Sequence, residues 1–67
     1  MREFDLIPDT ADEGMRLDAY LVKKLESLLD DISRSLIGKY KYNIFVNGVN
    51  KKLSFKIKAG SNIKFIL

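Results

Sequence analysis

Sixty-seven residues make a single domain with a thin core, because a chain of this size buries only about 60% of the surface it exposes when unfolded. The absence of cysteine excludes a disulfide framework and a thiolate metal site and points to a reducing compartment; the absence of histidine removes the commonest general base and the usual zinc ligand. Charge is segregated: residues 1–33 hold all nine carboxylates against four cations, leaving −5, whereas residues 34–67 hold one arginine and seven lysines, leaving +8. Such a block produces a local potential larger than the net charge of +3 suggests and favours a polyanionic partner such as nucleic acid. A solvated lysine-rich surface is the competing account. No N-terminal apolar run resembles a signal peptide, and no stretch approaches the ~20 residues that cross a bilayer. The expectation is a soluble cytoplasmic protein without a membrane partner, and a hydrophobic content of 46% favours folding over disorder.

Glu3-Phe4-Asp5-Leu6-Ile7 alternates polar and apolar residues and stops at Pro8, which predicts a short strand. Asp9 to Gly14 reads as an acidic loop. Leu17, Leu21, Leu25 and Leu28 then recur at helical spacing, predicting an amphipathic helix from about Met15 to about Leu29. Asp18 falls in its first turn, where a carboxylate meets the positive end of the macrodipole. With no second titratable base beside it, Asp18 reads as an end-capping or locally paired group rather than a catalytic one. Asp30-Asp31-Ile32 makes a turn, and Ser33 caps a second helix over about Arg34 to Lys41. On its helical wheel Leu36, Ile37 and Tyr40 share a core side, while Arg34, Ser35, Gly38, Lys39 and Lys41 form a cationic side. Gly38 costs ~1 kcal/mol relative to alanine there. It reads either as a tolerated defect or as room for a phosphodiester backbone.

Ile44-Phe45-Val46, then Asn47-Gly48, then Val49 is the strongest local signal. Asn-Gly between β-formers adopts the positive φ angles of a type I′ turn, so a tight hairpin folds back here, with Lys51 and Lys52 on the returning strand. Ser54 to Lys58 alternates again, Ala59-Gly60-Ser61 turns, and Asn62 to Phe65 forms a last strand, with Lys56, Lys58 and Lys64 as a solvated sheet edge. The fold class is α+β, two short helices packed on a small, mainly antiparallel sheet. The apolar ending Asn62 to Leu67 suggests a domain excised from a longer chain.

Gly14-Met15-Arg16-Leu17-Asp18-Ala19-Tyr20-Leu21, Ser33-Arg34-Ser35, Val46-Asn47-Gly48, and Lys58-Ala59-Gly60 with Ile63 resemble, in this order, the S-four-type RNA-binding domain, a small αL module. The resemblance spans about residues 14–66. The strand Phe4 to Ile7 and the acidic loop before Gly14 look more specifically like the N-terminal extension of bacterial large-subunit ribosomal RNA pseudouridine synthases. Two departures stand out. The segment from Ser35 to Phe45 is shorter than in the family and lacks a glycine before the following strand, which alters the last turn of helix two and the reach of Lys39 and Lys41. Ser61 stands where the family has aspartate, so that turn is expected to rest on a weaker hydroxyl contact.

The resemblance implies that a face holding the starts of both helices and the Asn47-Gly48 turn meets structured RNA, above all ribosomal RNA. Its contacts would be Arg16, Ser33, Arg34, Ser35, Lys39, Lys41, Asn47, Lys51 and Lys52. Arg16, Tyr20, Lys23 and Ser27 are expected along one side of helix one, with Tyr20 and Tyr42 as stacking candidates and Tyr40 in the core. Arg16 as a carboxylate's partner and Ser33 as a plain cap are the competing roles. No catalytic residue, metal, cofactor or small-molecule substrate is expected of this monomeric module. The resemblance puts the isomerase chemistry in a separate domain, and Asp18 belongs to the binding motif, not to that domain's catalytic Arg-Leu-Asp. Two other readings stay open: the RNA-binding domain of a ribosome-associated factor or tRNA ligase, and a protein-interaction module driven by its oppositely charged halves. A DNA-binding helix-turn-helix fits poorly, because the second helix is short.

Overall fold

The computed structural model describes residues 2–29 and 32–67. In chain order these form β1 (Glu3–Leu6), α1 (Leu17–Leu25), α2 (Arg34–Lys39), β2 (Ile44–Val46), β3 (Val49–Asn50) and β4 (Ile63–Ile66), with single 3-10 turns at Thr10–Asp12 and Lys41–Asn43. The strands make one antiparallel sheet in the order β1-β4-β2-β3, so the last strand is an inner one. The α+β class expected from the sequence is what the chain adopts.

Side-chain alternation sets the register. Phe65 lies opposite both Phe4 and Ile44, and Ile63 opposite both Leu6 and Val46, which places all six apolar groups on one face. A slip by one residue would turn that face to water. Leu17, Tyr20, Leu21 and Leu25 of α1 and Ile37 of α2 join the same core, each essentially excluded from solvent and each contributing about 1.5–3 kcal/mol by burial. Phe4 stacks on Phe65 at a centroid distance of 6.3 Å, and Tyr40 meets the same ring edge-on at 6.4 Å, so Tyr40 belongs to the core as expected.

Both helices are shorter than their periodicity predicts. Leu25 ends α1, after which Leu28 and Leu29 both bond back to the Leu25 carbonyl and Leu28 turns outward, 60% exposed. Helix α2 begins as expected, Ser33 Oγ accepting from the Leu36 amide at 3.2 Å, but Tyr40 leaves helical geometry and Lys41 passes into the separate 3-10 turn. The turn read at Asp30-Asp31-Ile32 depends on Asp30 and Asp31, which lie outside the described residues.

The hairpin forms as predicted, with φ of +51° at Asn47 and +81° at Gly48, but β3 stops at Asn50, so Lys51 and Lys52 follow the strand rather than occupy it. Ser54 to Lys58 is not a strand either. It keeps the period-two burial of one, Ile57 inward and Lys56 and Lys58 outward, while its carbonyls serve another element. Phe55 O accepts from the Leu17 amide at 2.9 Å and Leu53 O from the Asp18 amide at 3.2 Å. The start of α1 has no side-chain cap from Arg16, and this strap satisfies the Leu17 and Asp18 N–H groups instead, while Asp18 Oδ1 takes that of Ala19. An isolated bridge between Arg16 and Lys56 is all the ladder it makes. Lys64 sits on inner strand β4 and pairs with Glu3 at 2.9 Å, so it does not guard a sheet edge. The turn at Gly60 is held by backbone, Gly60 N donating to Pro8 O at 2.9 Å and Ser61 N to Lys58 O at 3.3 Å, in place of the expected hydroxyl contact.

Candidate nucleic-acid interface

The strap that caps α1 also builds one wall of a groove. Because Leu53 and Phe55 are tied to the first amides of α1, the residues before them are held beside Arg16, and the hairpin behind them brings in the 3-10 turn. Asn50 fastens that turn: its Nδ2 donates to Lys41 O at 3.0 Å and to Ile44 O at 2.8 Å. The resulting open groove, about 440 Å³, is lined by Arg16, Lys41, Tyr42, Asn50, Lys51, Lys52, Leu53 and Ser54. Four cations face it and no carboxylate does. Lys51 Nζ lies 5.3 Å from the Phe55 ring centroid and Lys41 Nζ 5.2 Å from that of Tyr42, contacts that steady two long side chains against neighbouring aromatics.

Arg34 adjoins this groove through a shared carboxylate. Asp18, whose side chain is 7% exposed, accepts from Arg16 Nε and Nη2 at 3.3 Å each and from Arg34 Nη2 at 3.1 Å, while its Oδ1 also accepts from the Ala19 amide at 2.8 Å. Burial pushes the Asp18 carboxyl up, but the bonds from Arg34 and Ala19 and the field of both guanidiniums outweigh it and hold the group below the usual carboxylate range. Asp18 is thus the locally paired carboxylate that its isolation in the sequence suggested. It links the starts of the two helices, and both arginines keep about half their side-chain surface in solvent, at 46% and 59%.

Of the nine candidates, Arg16, Lys41, Lys51 and Lys52 converge on the groove and Arg34 flanks it across Asp18. Ser35 is exposed next to Arg34, whereas Ser33 spends its hydroxyl on the helix cap. Lys39 lies in the last turn of α2, outside the groove lining. Asn47 is not part of this arrangement: its turn follows β2 whereas the Lys41–Asn43 turn precedes it, and its Oδ1 accepts from the Asn62 amide at 2.9 Å, docking the hairpin on β4. The expected row along helix one does not form a binding face. Tyr20 is 1% exposed, Arg16 precedes the helix, and Lys23 reaches back to Asp12 at 2.8 Å. Asp12 is itself buried, closing a capping box with Asp9; the hydrogen bond from Lys23 lowers its carboxyl against the opposing effect of burial.

Asn50, Leu53 and Ser54 are groove residues that sequence reasoning missed, and Tyr42 was named only for stacking. The alternation of 54–58 suggested a strand, which would have dispersed them. The available signal was Lys41-Tyr42, an aromatic interleaved with cations in a segment without acids.

Among the described residues no cluster of three or more potential metal ligands occurs, and no helix is long and apolar enough to cross a membrane. What fold and groove define together is a small α+β domain with a cationic, partly aromatic cleft. Comparison of the chain with protein-family models, curated proteins and solved structures finds no match.

Proposed function

We propose that the chain is a non-catalytic RNA-binding module of the S-four type. In this reading it docks a ribosomal RNA pseudouridine synthase on structured RNA in the cytoplasm and so raises the enzyme's effective concentration at its target uridine. The observation that supports RNA binding best is the groove itself, four cations and an exposed tyrosine with no carboxylate in its lining. Cations so grouped exchange condensed counterions for phosphates, which gives affinity that is sequence-independent and steeply salt-dependent. Exposed hydroxyl and amide groups at Ser35, Asn50 and Ser54 add directional contacts that a folded RNA can satisfy and a uniform polyanion cannot. The synthase host is supported by the resemblance of the strand Phe4 to Ile7 and the acidic loop before Gly14, and the reading frame around this chain tests it.

Binding of a ribosomal RNA fragment, followed by fluorescence anisotropy between about 50 and 200 mM salt, tests the module. Four groove cations predict a slope of log K on log salt near −3 to −4. Lys51→Gln with Lys52→Gln lowers affinity roughly tenfold and flattens the slope by about 2. Lys58→Gln with Lys64→Gln removes the same net charge away from the groove and leaves affinity within about twofold. Equal losses from both pairs, or a flat salt dependence, would refute the site.

A further inference from the structure

Among the described residues the large apolar side chains left in solvent are Ile7, Leu28, Tyr42 and Val49, and only Tyr42 is aromatic. It is the most exposed of them, at 73%, and it stands on the groove wall among the cations. Its backbone is not loose. Asn43 N donates to Tyr40 O at 2.8 Å across the 3-10 turn, and the two bonds from Asn50 clamp that turn on either side of Tyr42. Lys41 Nζ, 5.2 Å from the ring centroid, covers at most one face and leaves the other open. A ring presented on a fixed backbone, with a free face and cations beside it, is a stacking platform for a nucleobase.

The polar groups of the groove narrow the occupant further. Both Nδ2 protons of Asn50 are spent on carbonyls, so the side chain offers the groove only its Oδ1, an acceptor. An acceptor suits a base-edge N–H or a ribose 2′-hydroxyl and gives nothing to phosphate oxygen. Arg16, Lys51 and Lys52 supply phosphate donors in the same groove. A volume of about 440 Å³ falls in the range of pockets that hold a small ligand. Bases stacked inside a duplex cannot reach the tyrosine; a base in a loop, a bulge or a single-stranded end can.

Resting on the RNA-binding reading above, we infer that the groove seats one unpaired nucleotide of a structured RNA, its base stacked on Tyr42, its flanking phosphates on Arg16, Lys51 and Lys52, and a donor of its base edge or ribose on Asn50 Oδ1. Duplex contacts then supply the salt-dependent affinity, and the unpaired nucleotide selects the site.

Two RNAs test this: a fully paired duplex, and the same duplex with one bulged 2-aminopurine nucleotide, whose fluorescence reports stacking. The protein is expected to bind the bulged RNA roughly tenfold more tightly and to change its 2-aminopurine emission. Tyr42→Ala abolishes both the preference and the emission change, bringing affinity for the bulged RNA down to that for the duplex, and Tyr42→Phe restores them. A surface ring this exposed is removed without unfolding the domain, which a thermal melt checks. Equal, salt-dependent binding of both RNAs overturns the nucleotide pocket and leaves the RNA reading standing, as does a bulge preference that survives Tyr42→Ala. Failure to bind either RNA overturns both.

Discussion

Replacing Asp18 by asparagine isolates the carboxylate that joins the two helix starts. Asparagine keeps Oδ1 for the Ala19 amide, so the backbone bond at 2.8 Å survives and only the charge is lost. Both Arg16 contacts, at 3.3 Å, are longer than the ~2.7–2.9 Å of a tight charge-assisted bond. The arginines are 46% and 59% exposed, so after solvent screening each pair contributes about 0.5 kcal/mol. Loss of a negative charge from the first turn of α1 costs about another 0.5 kcal/mol through the macrodipole. The total is about 1.5 kcal/mol at pH 7, a substantial share of the roughly 3–10 kcal/mol available to a domain of this size. It corresponds to a fall in Tm of about 6–12 °C. The carboxyl is held below its usual value of 3.8 in the folded state, so its stabilisation is fully present above that value and is lost as pH falls through the folded one. The difference between wild type and Asp18→Asn therefore shrinks as urea melts are taken from pH 7 towards pH ~2. Asp12 is lowered too, but it titrates alike in both proteins and cancels from the difference. A gap that stays constant with pH, or one below about 0.3 kcal/mol at pH 7, would refute the assignment of stability to this charge.

Gly38→Ala raises stability by about 0.5–1 kcal/mol in a thermal melt, because a methyl group there meets nothing within 4 Å. RNA affinity stays within about twofold; a marked loss alongside the stability gain would place a phosphodiester backbone against α2. Leu25→Ala costs about 2–5 kcal/mol, whereas Leu28→Ala, three residues along the same predicted stripe, stays within about 0.5 kcal/mol in urea denaturation. Gly48→Ala costs roughly 1–2 kcal/mol, since φ of +81° is left-handed for any L side chain, and the loss appears in the same melts.

The elements that sequence made legible are those specified by local chemistry. Asn47-Gly48 fixes a hairpin through the φ angles its two residues tolerate, Ser33 fixes a helix start through one hydroxyl, and Glu3-Phe4-Asp5-Leu6 fixes a strand through alternation. Misread elements were those decided by distant partners. Ser54 to Lys58 has the alternation of a strand, and alternation reports which side chains face inward, not which backbone groups are free to ladder. The Phe55 carbonyl was claimed by Leu17, and that of Leu53 just before the segment by Asp18, both far earlier in the chain, because Arg16 provides no cap. The same competition governed the site. Sequence named Arg16, Lys41, Lys51 and Lys52 for their charge, but their convergence depends on the strap and on the Asn50 clamp, both of them long-range or side-chain effects.

The segregation of charge along the chain takes on a specific form in space. Asp12 and Asp18, the buried carboxylates of the first half, are each satisfied by two cations, because an ionised group that leaves water must be paired. Three of those four cations, Arg16, Lys23 and Lys24, come from the first half itself. Only Arg34 and Lys64, among the described residues, cross over from the second half to a carboxylate. Among the described residues, then, Lys39, Lys41, Lys51, Lys52, Lys56 and Lys58 have no carboxylate within bonding distance, and three of these six line the groove. A net charge of +3 spread evenly over the surface would give a polyanion little to hold. With Arg16, Lys41, Lys51 and Lys52 gathered in one cleft that no carboxylate lines, the salt slope, rather than the net charge, is the measure of what that cleft can bind.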